Sequence, residues 1–140
     1  MTAERMITQL ALQPHPEGGW YRETWRAEAA DGQRGLATSI LFLLRAGERS
    51  HWHRVDATEL WIFQAGRPLT LRTYKDGPVV ETVMGSDPGA GQALQHAVEP
   101  HEWQAADGPD EGWSLVACVV TPAFEFSGFE LAPPDWRPPT

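Results

Sequence analysis

The sequence has a single cysteine, few basic residues and no long apolar run. Cys118 cannot form a disulfide within the chain, and it lies in an apolar segment where a free thiol usually packs as a small hydrophobe. The sequence contains 11 lysine and arginine residues and 19 aspartate and glutamate residues, which gives a net charge of −8. Nucleic acid backbones and anionic membranes repel a chain of this charge. We therefore expect neither as a partner.

Targeting and membrane segments are also missing from the pattern. The first residues lack the basic start and apolar stretch of a secretory signal, and no window approaches the roughly 18 apolar residues of a membrane-spanning helix. We expect a cytoplasmic protein. The length of 140 residues fits one domain, over residues 1–140, with an N-terminal arm at 1–35 and an extended C-terminal tail at 132–140.

Short apolar segments separated by glycine and proline make up most of the chain. Residues 2–12 predict one short helix, with Thr2 as its N-cap and Pro14 beyond its end. Roughly nine segments of strand length follow, the last at 124–131, with no helical period between them. This pattern predicts an all-β barrel or sandwich with a short N-terminal helix.

The segment 47–66 carries the densest set of reactive side chains. If its first half is a strand, the period of two places His51 and His53 on the same face. A turn would then return the chain so that Glu59 and Trp61 lie opposite the histidines. Two imidazoles and a carboxylate suit a divalent transition metal, and they suit equally a proton-transfer site without one.

A second candidate element is the corner Pro-His-Pro-Glu-Gly-Gly at residues 14–19. Two glycines permit positive φ and a close backbone approach, so Glu17 and Tyr21 can be directed into the mouth of a barrel. The alternative is that the corner only fastens the N-terminal arm. His15 within it is expected to be a surface histidine or one with satisfied hydrogen bonds.

These motifs resemble the cupin superfamily, in which glycine, His-x-His, glutamate and glycine lie on two strands of a double-stranded β-helix. The residues that match this order are His51, His53, Glu59 and Gly66. Three segments are similar to the DUF985 (cupin_5) family: residues 14–24, 50–54 and 103–106. The resemblance implies an RmlC-like jelly-roll barrel with kinship to sugar-nucleotide epimerases.

A second cupin motif normally supplies a further histidine ligand, and the resemblance places Gln104 at that position. A neutral amide oxygen binds zinc, iron or nickel more weakly than an imidazole does. The cofactor is therefore either absent or a single divalent transition metal. Its implied ligands are His51, His53, Glu59 and Gln104, and His101 is an alternative to the last.

Other side chains are expected to line a ligand pocket. Trp61 and Trp103 offer aromatic walls for a base or the apolar face of a sugar. Arg54 can hold a phosphate or carboxylate through paired hydrogen bonds. The remaining predicted ligand-binding residues are His51, Gln104 and Glu17.

The leading hypothesis is an isomerase or epimerase that acts by proton transfer on a polar or sugar-nucleotide-like metabolite. His53 would be the base and Glu59 the carboxylate that orients it. Tyr21 or Tyr74 would be the acid. A metal-dependent oxygenase or related metalloenzyme is one alternative, and a non-catalytic metabolite-binding protein is another. The resemblance also implies a homodimer formed through exchanged edge strands.

Overall fold

The N-terminal residues form the short helix that the sequence predicts. In the computed structural model, which describes residues 1–139, helix α1 covers Ala3–Gln9. The side-chain oxygen of Thr2 accepts a hydrogen bond from the backbone N–H of Arg5 at 3.2 Å, which confirms Thr2 as the N-cap.

The described residues otherwise form strands, turns and two short 3₁₀ turns. The strands are β1 Gln13–Pro14, β2 Trp20–Arg26, β3 Thr38–Arg45, β4 Arg49–Val55, β5 Thr58–Gly66, β6 Leu69–Tyr74, β7 Val80–Met84, β8 Gln95–Val98, β9 Trp103–Asp107, β10 Trp113–Thr121 and β11 Phe129–Leu131. One sheet has the order β1-β2-β3-β10-β5-β8 and the other β11-β4-β9-β6-β7. The paired strands are antiparallel, which confirms the predicted all-β class. Within residues 1–139, no helix is long and apolar enough to cross a membrane.

The main core lies between the two sheets. Phe42 and Trp61 come from one sheet, Leu71 and Ala106 come from the other, and each is at most 1% exposed. Cys118 is buried with them, as the sequence predicts. Burial of this apolar surface is the main force that holds the sheets together.

Strand β3 is covered on both faces, as its continuous apolar run predicts. Phe42 and Leu44 face the core between the sheets. Leu43 points the other way and packs with Leu12 and Leu115, against which α1 rests through Met6 and Ile7, and Leu10 just after the helix packs there as well. The helix therefore covers the outer face of the six-stranded sheet.

The end of the chain covers the outer face of the five-stranded sheet. The backbone N–H of Ala132 donates to the carbonyl oxygen of Trp52 at 3.0 Å. Trp136 then packs on Trp103, with ring centroids 4.5 Å apart, and on Trp52. Trp52, Trp103 and Trp136 thus form a cluster on this outer face.

The last predicted strand is shorter than expected. Only Phe129–Leu131 pairs with β4, while Phe126–Gly128 forms a 3₁₀ turn and the residues before it are irregular. Residues 124–128 therefore cross one end of the barrel, and only β11 extends the sheet.

Candidate functional site

A cavity of about 380 Å³ opens between the two sheets. The 14–19 corner, strands β2, β4 and β5, and the chain after β10 contribute to its wall. The polar lining residues that can take part in chemistry are His15, Glu17, Tyr21, His53 and Glu59. The structure therefore brings together the three residues predicted to be catalytic, and adds Glu17 and His15 to them.

The corner at 14–19 reaches the cavity because its glycines allow a tight approach to the barrel. Gly18 and Gly19 have φ values of 107° and 78°. A Cβ on Gly18 would collide with the backbone oxygen of Arg49. The carbonyl oxygen of Glu17 accepts a hydrogen bond from the N–H of His51 at 2.8 Å, so the corner is fixed to β4.

Glu17 and His53 form a buried pair at the wall of the cavity. Oε2 of Glu17 lies 2.9 Å from Nε2 of His53, and their side chains are 8% and 2% exposed. The other ring nitrogen, Nδ1, lies 2.7 Å from the carbonyl oxygen of His51. A carbonyl oxygen only accepts, so Nδ1 carries a proton, and Nε2 shares a second proton with the carboxylate.

The charges of this pair support each other. Burial disfavours a charged imidazole, but the Glu17 carboxylate and, to a smaller extent, Glu59 raise the pKa of His53 to about 9. Burial likewise opposes ionisation of Glu17. The charge of His53 and its hydrogen bond outweigh burial, so the pKa of the Glu17 carboxyl is lowered. At neutral pH the pair is an imidazolium and a carboxylate.

Glu59 does not orient His53, contrary to the sequence prediction. Its Oε1 accepts a hydrogen bond from Nε2 of Gln104 at 2.8 Å, and Oε1 of Gln104 accepts from Nε1 of Trp61 at 2.7 Å. The indole N–H thereby fixes which way the amide points. Trp61 and Gln104, both predicted to bind the ligand, lie in the buried core behind Glu59 and not on the cavity surface.

Glu59 itself remains a lining residue that is 7% exposed. Burial raises the pKa of its carboxyl. His53 and the Gln104 hydrogen bond work against this increase, and the charge of Glu17 adds to it. Glu59 is thus a stronger base than an ordinary carboxylate.

His51 lies outside the cavity because β4 has an irregular register. The pairing of β4 with β9 shifts between Ser50 and His53, which breaks the period of two. Nε2 of His51 lies 2.9 Å from the carbonyl oxygen of Pro133, on the side of the C-terminal tail. The prediction that His51 and His53 share a ligand is therefore wrong.

Arg54 and Trp103 also face away from the cavity. The guanidinium of Arg54 lies 4.4 Å from the centre of the Trp103 ring and pairs with Glu130 at 2.9 Å. Both side chains belong to the outer face of the five-stranded sheet, where Tyr74 lies as well. Neither side chain lines the cavity, and of the two tyrosines only Tyr21 does.

His15 is a cavity residue that the sequence did not single out. Its Nδ1 accepts a hydrogen bond from the backbone N–H of Glu17 at 3.1 Å, so the proton of the neutral ring is on Nε2. Burial lowers the pKa of His15; Glu17 opposes this effect and His53 adds to it. The ring packs edge-on against Tyr21, with centroids 4.4 Å apart.

Three phenylalanines form the apolar part of the wall. Phe124 and Phe126 lie in the segment that crosses the barrel end and Phe129 begins β11, with ring centroids 4.9 to 6.0 Å apart. The sequence predicted a strand over residues 124–131, and the segment F-E-F-S-G-F is consistent with that prediction. No signal of periodicity could have marked them as a cavity wall.

Comparison with known proteins identifies the family. The protein-family model described as Cupin superfamily (DUF985) matches residues 4–132 of the sequence. The chain belongs to this family. No curated protein matches the DUF985 chain described here.

Solved structures agree with the assignment of this DUF985 cupin. A protein from Shewanella oneidensis is 41% identical, with a TM-score of 0.89 over 94% of this chain and 85% of that one. A hypothetical protein from Leishmania major is 32% identical, with a TM-score of 0.87 over 94% and 88%. An oxalate decarboxylase mutant from Bacillus subtilis is 13% identical, with a TM-score of 0.64 over 84% and 29%, which shows the fold alone. The predicted cupin jelly roll is confirmed.

The four predicted metal ligands do not form a ligand set in this DUF985 cupin. His51 points to the tail, and both ends of the Gln104 amide are engaged by Trp61 and Glu59. Both ring nitrogens of His53 already face acceptors. Within residues 1–139, no three His, Cys, Asp or Glu side chains are grouped so that they could hold a metal ion. The donors present therefore do not fit the divalent metal that the motif suggested.

Proposed function

We propose that this protein binds a small polar metabolite in the cavity and rearranges it by proton transfer, as an isomerase or epimerase does. The observation that carries the proposal is the buried Glu17–His53 pair in a cavity that also contains Glu59 and Tyr21. Titratable groups with opposite pKa shifts in one concave site are typical of acid–base catalysis.

The Glu17–His53 pair is the proton donor in this proposal. It holds one transferable proton between Nε2 and the carboxylate, and the raised pKa of His53 keeps that proton available at neutral pH. The pair can give this proton to a carbonyl oxygen of the ligand. His53, expected from the sequence to be the base, is thus assigned as part of the acid.

Glu59 is the base. Its carboxylate takes a proton from the carbon next to the carbonyl, and the ligand becomes an enediol when the pair protonates the oxygen. Gln104 holds Glu59 in place through the 2.8 Å hydrogen bond, and Trp61 holds Gln104. The enediol collapses when one of its two hydroxyl groups gives its proton to the pair and the carbon bearing the other hydroxyl receives a proton: the original carbonyl oxygen loses its proton in epimerisation, and the neighbouring oxygen in isomerisation.

Tyr21 distinguishes two outcomes of that last step. If protonated Glu59 returns the proton to the neighbouring carbon, the ligand is isomerised. If the Tyr21 hydroxyl supplies a proton to the original carbon from another direction, the ligand is epimerised, and Glu59 later returns its proton to Tyr21 through solvent. In both cases the protons balance within the site.

The proposal is tested by solvent exchange. The protein is incubated in D2O with D-glucose, D-mannose, D-galactose and D-fructose, and NMR follows loss of the C–H signal at the carbon next to the carbonyl or anomeric carbon. We expect exchange with at least one sugar. The variants His53→Gln and Glu59→Gln should reduce its rate by about 100-fold or more, since general acid–base groups contribute on this scale.

Matched controls use residues of the same type outside the cavity. His96→Gln and Tyr74→Phe should exchange at the wild-type rate, whereas Tyr21→Phe should slow epimerisation. Exchange that is unaffected by His53→Gln contradicts the proposal. Binding of a sugar without any exchange would favour the non-catalytic metabolite-binding alternative.

A further inference from the structure

We infer that the ligand of this cavity is an uncharged sugar-like polyol of monosaccharide size, and not a phosphorylated sugar, a sugar nucleotide or an amine. The observation behind it is that the charges of the cavity wall are already paired within the protein. This inference deepens the proposed function and rests on its claim that the cavity binds a small metabolite.

Each cationic side chain of the wall is already paired with a carboxylate of the protein. His53 is held by Glu17 at 2.9 Å. Arg26 is held by Glu23 through two hydrogen bonds, at 2.8 and 3.1 Å, and also donates to the carbonyl oxygen of Phe124 at 3.0 Å. A phosphate would have to break one of these pairs, because phosphate sites need free arginine, lysine or backbone donors.

The carboxylates of the wall are likewise committed. Glu125 pairs with Arg34 at 3.2 Å, and Arg34 lies outside the cavity lining. The Glu59 carboxylate accepts a hydrogen bond from Gln104 at 2.8 Å, and the nearby charge of His53 stabilises its ionised form. An ammonium group would therefore have to compete with His53, Arg26 and Arg34 for the carboxylates of the lining.

Paired carboxylates still have free lone pairs, and these suit hydroxyl groups. Each carboxylate has about four acceptor sites, of which the contacts above use one or two. The N–H on Nε2 of His15 adds a neutral donor. Phe124, Phe126 and Phe129 provide aromatic surface for the C–H face of a sugar ring. Acceptors, one donor and aromatic rings together match a polyol.

The size of the cavity points the same way. Its volume of about 380 Å³ lies near the lower end of the range for small-molecule sites, roughly 300–1,000 Å³. A single sugar ring matches that end of the range, and a nucleoside diphosphate joined to a sugar belongs at the other end.

The first experiment compares ligands that differ only in charge. NMR titration of the wild-type protein measures binding of D-glucose, D-mannose, D-galactose and D-fructose, of their 6-phosphates, and of D-glucosamine. We expect at least one uncharged sugar to bind, and its 6-phosphate and amino analogues to bind about tenfold more weakly or less. Equal or tighter binding of the charged analogues, or no binding of any uncharged sugar, overturns the inference.

A second experiment tests the reason for the selectivity. Glu23→Gln releases Arg26 at the rim and should tighten binding of the 6-phosphate relative to the parent sugar by about threefold or more. Glu130→Gln releases Arg54 in the same way, but on the outside of the barrel, and should leave the ratio unchanged. An unchanged ratio in Glu23→Gln, or an equal change in both variants, contradicts the inference.

The two proposals fail in different ways. Preferential binding of phosphorylated sugars together with deuterium exchange would remove this inference and keep the proposed function. Preferential binding of an uncharged sugar without exchange would keep the inference and remove the proposed function.

Discussion

His53 shows how neighbouring charges decide what a histidine can do. An isolated buried imidazole stays neutral, because burial penalises the charged form. Here Glu17 outweighs that penalty and raises the pKa to about 9, whereas His15, only two residues from Glu17, has a lowered pKa. Two histidines in one cavity are thus set to different charge states.

Stability should depend on pH through this pair. The pKa of His53 is raised in the folded protein, from 6.5 to about 9, so its contribution to folding is complete below pH 6.5 and is lost as the pH rises through 9. We expect the free energy of unfolding, measured by urea denaturation at constant salt, to fall between pH 6.5 and 9.

Two variants check that this fall comes from the pair. Glu17→Gln removes the partner charge and should flatten the dependence over the same range, while His96→Gln should retain it. A wild-type protein whose stability is constant or rises over this range would contradict the charge assignment.

The chemical types of the site residues could be predicted from the sequence, but their partners could not. His53, Glu59 and Tyr21 all reach the cavity, and Glu17 was expected near it. The sequence could not predict that Glu17, and not Glu59, pairs with His53. This pairing depends on where a loop 36 residues before His53 folds back. His15 was expected to be a surface histidine or one with satisfied hydrogen bonds, since a lone histidine has no distinguishing pattern.

At the scale of elements, one irregularity in β4 accounts for several wrong predictions. A strict period of two places His51 and His53 together, and the register shift between Ser50 and His53 separates them. The metal hypothesis depended on that period. Sequence patterning predicts a strand but does not reveal a shift within it, so the ligand set could be tested only in three dimensions.

The 14–19 corner and the segment after β10 form the elements that close the cavity. The glycines of the corner were a usable signal, because positive φ and close packing were both expected of them and both are present. Residues 124–128 gave no such signal. Their apolar composition fits a strand, and only the fold shows that Phe124 and Phe126 cross the barrel end.

At the scale of the whole molecule, β2 leaves an edge of the six-stranded sheet open. Strand β1 pairs with β2 only at Trp20 and Tyr21, and among the described residues no other strand borders that side. Trp25, further along β2, is 55% exposed. An open edge with an exposed aromatic side chain is a favourable place for strand pairing between two copies.

We therefore propose a homodimer formed through β2. Light scattering after gel filtration should give a mass near twice 15.6 kDa. Trp25→Lys should shift this mass to the monomer value, because a lysine at an edge strand opposes pairing. Val80→Lys, at an exposed apolar position on the edge of the other sheet, should not. A monomeric wild-type protein, or a dimer unaffected by Trp25→Lys, would contradict this proposal.

The most direct test of the account is the protonation state of His53. In ¹⁵N-histidine-labelled protein, long-range NMR spectra distinguish a neutral imidazole from an imidazolium, and Glu17→Gln identifies the ring that responds. We predict that His53 is doubly protonated at neutral pH and titrates with a pKa of about 9, and that Glu17→Gln lowers this value. A neutral His53 ring at neutral pH, unchanged by Glu17→Gln, would contradict the buried ion pair and the proton donor that depends on it.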